Sequence, residues 1–89
     1  MRVRMINKPD ITGWSDEFNI HGLGEIIVTY DDGSASSEEL NDYEICREDG
    51  TWISFREALM NHEIVTDDRF HRFRFALTDE ERKKGYYLT

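Results

Sequence analysis

The sequence holds a single cysteine, Cys46, and a single proline, Pro9, among its 89 residues. One thiol excludes an internal disulfide and leaves no cysteine-based metal site. No stretch approaches the ~20 apolar residues that a membrane span needs. The opening run Met1-Arg2-Val3-Arg4-Met5 lacks the apolar core of a signal peptide. These absences set the expectation of a soluble protein in a reducing, cytoplasmic compartment, with no membrane partner. Positive charge is also scarce: 11 Lys and Arg stand against 19 Asp and Glu, for a net charge of -8.

Catalytic patterns are missing as well. His21, His62 and His71 stand at no metal-ligand spacing. Asp31-Asp32-Gly33 lacks the further ligand positions of a calcium loop. There is no glycine-rich phosphate loop. Cys46 sits among acids, which oppose thiolate formation, and it has neither a base nor an orienting group at a meaningful spacing. The expectation is a protein without enzymatic activity, metal or cofactor.

Large apolar anchors are present. Two Trp, four Tyr and five Phe supply enough burial for one core, and the length fits one domain over residues 1–89. Val3 and Met5 alternate with Arg2 and Arg4, the pattern of a short half-buried strand. Residues 11–24 read as a long irregular stretch containing Gly13, Gly22 and Gly24, with Trp14, Phe18, Ile20 and Leu23 pinning part of it to the core. Glu25–Tyr30 is a β-branched strand that ends in Asp31-Asp32-Gly33, and Glu48-Asp49-Gly50 marks a second hairpin turn. Glu38-Glu39-Leu40-Asn41 suggests one helical turn with Ser37 as its cap.

Ser54 and Glu57 form a capping box for a helix running to near His62, and Thr78 and Glu81 form another. Phe73 and Phe75 alternate with Arg72 and Arg74, giving a strand with one apolar and one basic face. The fold class is α+β, mainly β: a small, strongly bent antiparallel sheet or SH3-like barrel with two short helices.

From Gly24 to Cys46 the order is glycine, β-branched strand, Asp-Gly turn, short return strand, helical turn and strand. This segment resembles the small SH3-like barrels of the Tudor and KOW type. The resemblance implies one alternative function, a Tudor-like reader of methylated Lys or Arg. Trp14, Phe18, Tyr30, Tyr43 and Trp52 would then supply an aromatic cage.

The charges are not mixed along the chain. Between Asp10 and Asp68 there are 16 acidic residues and only two basic ones, Arg47 and Arg56. Such a field repels phosphates, which disfavours nucleic acid as a partner, and it attracts basic protein surfaces. In size and charge the chain resembles small acidic proteins that phages encode to bind and inhibit host enzymes. The leading expectation is a monomer or small homo-oligomer that binds a basic protein stoichiometrically, its acids standing in for nucleic-acid phosphates. The residues expected to carry the contact are Trp14, Asp31, Asp32, Glu38, Glu39, Asp42, Glu44, Glu48 and Asp49. A second alternative is nucleic-acid binding by the one basic-aromatic stretch, Arg69, Arg72 and Arg74 around Phe70 and His71, through phosphate contact and stacking.

Overall fold

The computed structural model describes residues 1–67 and 69–77. Four strands, β1 (Arg2–Met5), β2 (Thr12–Phe18), β3 (Glu25–Tyr30) and β4 (Ala35–Glu39), form an antiparallel meander. A 3-10 turn, Leu40–Asp42, leads to β5 (Tyr43–Cys46), which pairs antiparallel with β1. β6 (Trp52–Ser54) folds back on β5, α1 (Phe55–Met60) follows, and β7 (Ile64–Asp67) and β8 (Arg72–Phe75) make a final hairpin. The strand order is β4-β3-β2-β1-β5-β6.

Both Asp-Gly turns fall where the sequence places them. Gly33 and Gly50 hold φ of 89° and 87°, a region that favours glycine. Each is preceded by an aspartate that accepts from the chain two residues on: Asp32 from the Ser34 amide and Asp49 from the Thr51 amide, both at 2.9 Å. Ser54 caps α1 by accepting from the Glu57 amide at 3.1 Å.

β2 has two neighbours on one edge. β3 covers the opposite edge from Gly13 to Phe18. β1 pairs with Thr12, Gly13 and Trp14, and β8 takes over at Glu17, which lies opposite Arg72. A register shift between Trp14 and Glu17 marks the changeover, as a bulge does when a strand must bend. There the Met1 amino group donates to the Ser15 carbonyl at 2.8 Å and to Asp16 Oδ1 at 2.5 Å.

The sheet is strongly bent. β4 and β5 stand four places apart in the order, which in a flat sheet is about 19 Å. Glu39 and Tyr43 are joined by only the three residues of the 3-10 turn, a reach of at most about 14 Å. Curling brings them together. The concave side buries Val3, Ile26, Val28, Ile45, Phe55, Ala58 and Ile64 completely. At its centre the rings of Phe18, Phe55 and Phe73 pack with centroids 4.7–6.2 Å apart.

Several expectations need correction. The sheet is open, not a closed barrel: no described strand pairs with the outer edge of β4. The approach of β3 and β4 to β5 is made by side chains instead. Glu38 Oε1 accepts from the Tyr30 hydroxyl at 2.6 Å, and the Tyr30 and Tyr43 hydroxyls lie 3.0 Å apart. Since the one Tyr30 proton goes to Glu38, Tyr43 is the donor to Tyr30.

Among the described residues there is one α-helix and one 3-10 turn, while the helix expected from Thr78 lies outside the described residues. α1 stops at Met60, short of His62, which adopts a left-handed φ of 58°. The helical turn starts later than expected, at Leu40: Glu38 and Glu39 belong to β4, Glu39 stands at the N-cap without a side-chain cap bond, and Ser37 lies within β4 with its hydroxyl donating to Glu25 Oε1 at 2.7 Å. Residues 12–18, expected to be irregular, form β2, and of its apolar neighbours Phe18 reaches the core while Ile20 and Leu23 are exposed.

Candidate interaction surfaces

The antiparallel pairings decide where the acids lie. β1 and β3 run the same way and β5 runs opposite to both. The turn after β3 and the turn after β5 are therefore at opposite ends of the sheet. Asp31 and Asp32 are thus separated from Glu48 and Asp49, and the eight acids predicted as one contact surface divide into groups.

The β3–β4 hairpin holds two pairs: Asp31 and Asp32 at its turn, and Glu38 and Glu39 at the far end of β4, where they face opposite sides of the sheet. Asp31 accepts from Thr12 Oγ1 at 2.5 Å and from Arg2 Nη1 at 3.0 Å. The Thr12 and Arg2 bonds hold its carboxyl below the usual 3.8. The Ser34 hydroxyl and amide do the same for Asp32. Asp42 is exposed at the end of the 3-10 turn. Glu44 faces away from this hairpin, on β5, and is closed by Arg4 Nε at 2.5 Å. Asp49 is held low by the Thr51 hydroxyl and amide.

The edge of β4 adds backbone groups. Bonds from the Tyr30 amide to the Ser34 carbonyl and from the Leu40 amide to the Gly24 carbonyl bracket the β3–β4 ladder. With the register Val28↔Ser36 and Ile26↔Glu38, residues 34, 36, 38 and 40 are the hydrogen-bonded positions. Antiparallel ladders alternate, so Ala35, Ser37 and Glu39 turn their N–H and C=O outward. No described strand meets them. On the convex face, Glu39 stands directly opposite Glu25, a like-charge pairing that costs free energy. Sequence reasoning missed this edge, because the outward phase of β4 follows from its register and not from its composition.

Trp14 is 52% exposed, on the convex face of β2. It lies between Arg2 on β1 and Thr29 on β3, and its Nε1 donates to Asp16 Oδ2 at 2.5 Å. It stands on a regular strand, not in the irregular segment that the sequence suggested. The other aromatics proposed for a cage do not join it. Phe18 and Tyr43 are core residues. The Tyr43 phenol is kept protonated well above the usual tyrosine range by burial and by the Tyr30 hydroxyl. Trp52 is covered by the Arg4 guanidinium, 4.1 Å from its ring centroid.

Arg69, Arg72 and Arg74 do come together. They line a cleft of about 770 Å³ with Asp16, Val65, Thr66, Asp67 and Phe73, and Phe70 is exposed nearby. Asp16 and Asp67 in the same lining offset part of this positive charge. Arg69 Nε already lies 3.8 Å from Asp67. This cleft was not legible in advance, since Asp16 comes from a strand read as a loop.

The aspartates fix a pH response. Burial works to raise the Asp16 carboxyl, but bonds from the Met1 amino group and Trp14 outweigh it and leave it below 3.8. Asp31, Asp32 and Asp49 are lowered too. Depressed carboxylates contribute stability above their unfolded pKa, and that stability is lost as pH falls through the folded values. From these four carboxylates the urea midpoint is expected to fall as pH drops below about 4. A midpoint that does not change between about pH 4 and about pH 3 would remove these four aspartates as contributors.

Among the described residues no helix is long and apolar enough to cross a membrane, and no group of three His, Cys, Asp or Glu could hold a metal ion. Comparison of the chain with family models, curated proteins and solved structures found no match.

Proposed function

We propose that this protein is a binding module without catalytic activity, which docks stoichiometrically on a basic protein surface through its β3–β4 hairpin. One observation carries the reading: the β3–β4 hairpin bears Asp31 and Asp32 at its turn and Glu38 and Glu39 at the far end of β4, and among the described residues Arg2 is the one cation paired with any of them. Charge of one sign spread along a hairpin steers a partner of the other sign and raises the association rate at low salt.

A nucleic-acid-binding channel of a host enzyme is the kind of basic surface that the phage-inhibitor likeness suggests. The combined variant Asp31→Asn, Asp32→Asn, Glu38→Gln, Glu39→Gln keeps the side-chain shapes. It is expected to slow association with its partner by about tenfold at low salt and to flatten the salt dependence. Pull-down from lysate at low salt supplies the partner, and stopped-flow mixing measures the rate. An unchanged rate and salt slope would remove the hairpin as the docking surface.

A further inference from the structure

We propose that the outer edge of β4 is a strand-addition site, taking an extended, lysine- or arginine-rich segment of a partner as a further strand of the sheet. The inference rests on the acidic-hairpin reading and specifies how the partner is held. Three observations meet at this edge.

Ala35, Ser37 and Glu39 present N–H and C=O groups outward in an unbroken alternation, which is the template an incoming strand needs. β4 is five residues long, against three for β6 and four for β7, so it is the longest strand at an end of the sheet. The side chains beside it select the occupant. On the convex face, Glu39 and Glu25 oppose one another. A cation carried on the same face of an added strand would sit next to Glu39 and relieve that repulsion. Asp31 and Asp32 lie at the start of the hairpin and Glu39 at its end, so acids flank the edge at both ends.

The chain also prepares the edge. The Asn19 side chain donates to Ser37 Oγ at 2.8 Å, and that hydroxyl donates to Glu25. These bonds tie the middle of β4 to the strand beside it and to the β2–β3 loop. In that loop Ile20 and Leu23 are 61% and 99% exposed, which places apolar surface near the Glu39 end. The preferred segment is therefore extended, alternates basic with β-branched residues, and closes on an apolar residue.

Charged edge strands also occur simply because charge deters pairing, and the experiment separates the two roles. The probes are a short peptide alternating lysine and threonine and its twin, N-methylated at every backbone nitrogen so that neither edge keeps an N–H. The two carry the same charge, but the twin cannot donate to an edge. The unmodified peptide is expected to bind roughly tenfold or more tightly than its twin, since several backbone hydrogen bonds distinguish them. Amide exchange at Ala35, Ser37 and Glu39 should slow on binding. Ala35→Pro removes an outward N–H that β3 does not use, so folding should survive and the preference should shrink.

Equal, salt-sensitive binding of both peptides, with no change in those three amides, would overturn strand addition and leave acidic docking standing. No binding of either peptide at low salt would overturn both. An undiminished preference in a folded Ala35→Pro protein would place the added strand elsewhere and overturn the assignment to β4.

Discussion

Phe55→Ala is expected to cost about 3–5 kcal/mol of folding stability, the range for a buried phenylalanine truncated to alanine. Phe55 is fully buried, and its ring meets Phe73 edge-on at 4.9 Å and Phe18 at 6.2 Å. Those two rings come from β8 and β2, so this one side chain ties the final hairpin and the helix to the meander. Removing it leaves a void lined by rings that cannot all move inward, because Phe18 and Phe73 are fixed by strand pairing. A chain of 89 residues has a total stability of only about 4–13 kcal/mol, so the variant should sit close to unfolding. Urea denaturation measures the loss, and an unchanged slope shows that the same cooperative unit still unfolds. Phe55→Leu, which keeps most of the volume, should cost less than about 1.5 kcal/mol if it repacks. A loss below about 1 kcal/mol for the alanine variant would show that the three rings do not form the centre of the core.

Phe55 was legible because a capping box places it at the start of a helix, and a helix beside short strands must bury one face. The same kind of local signal gave both Asp-Gly hairpins and the alternating pattern of β8. Each depends on residues within four or five positions of one another. The curvature of the sheet does not. It arises because a three-residue 3-10 turn joins two strands that are four places apart in the order. No local pattern states that order. The open edge is equally non-local: whether β4 closes onto β5 depends on the Tyr30, Tyr43 and Glu38 side chains occupying the approach.

The candidate site divides in the same way. Composition identified an acidic surface, and Asp31, Asp32, Glu38 and Glu39 do share a hairpin. Composition could not show that Asp31 and Asp32 lie at the opposite end of the sheet from Glu48 and Asp49 and at the opposite end of β4 from Glu38 and Glu39, or that Glu44 is taken by Arg4. Those facts follow from strand direction. Arg69, Arg72 and Arg74 were identified as a basic stretch, yet the acids that share their cleft come from β2 and β7, one near in sequence and one far. Charge read along a chain overstates a surface whenever strand pairing brings the opposite charge across.

Gly13→Ala is expected to destabilise the protein by about 1–3 kcal/mol, the cost of overpacking a close-packed site. Gly13 helped make residues 11–24 look irregular, because an isolated glycine weakens a strand pattern. Its role in the structure is the opposite one. It is a buried member of β2, paired with Val3 on one side and Tyr30 on the other. A Cβ there would meet the Thr29 carbonyl oxygen at 2.6 Å and Val28 Cγ1 at 2.9 Å. The oxygen belongs to the backbone of β3 and cannot swing aside as a side chain would, so β2 and β3 must separate where β1 also pairs.

Alanine also restricts the unfolded chain, which would stabilise the protein by about 0.4–1 kcal/mol if the site had room. The sign of the measured change therefore decides between two accounts of the same glycine. A lower urea midpoint, with slower-exchanging amides of β2 and β3 becoming exposed, means that glycine is needed for close approach of the strands. A midpoint that rises would mean that β2 and β3 stand farther apart at this point, and that the glycine contributes only chain entropy.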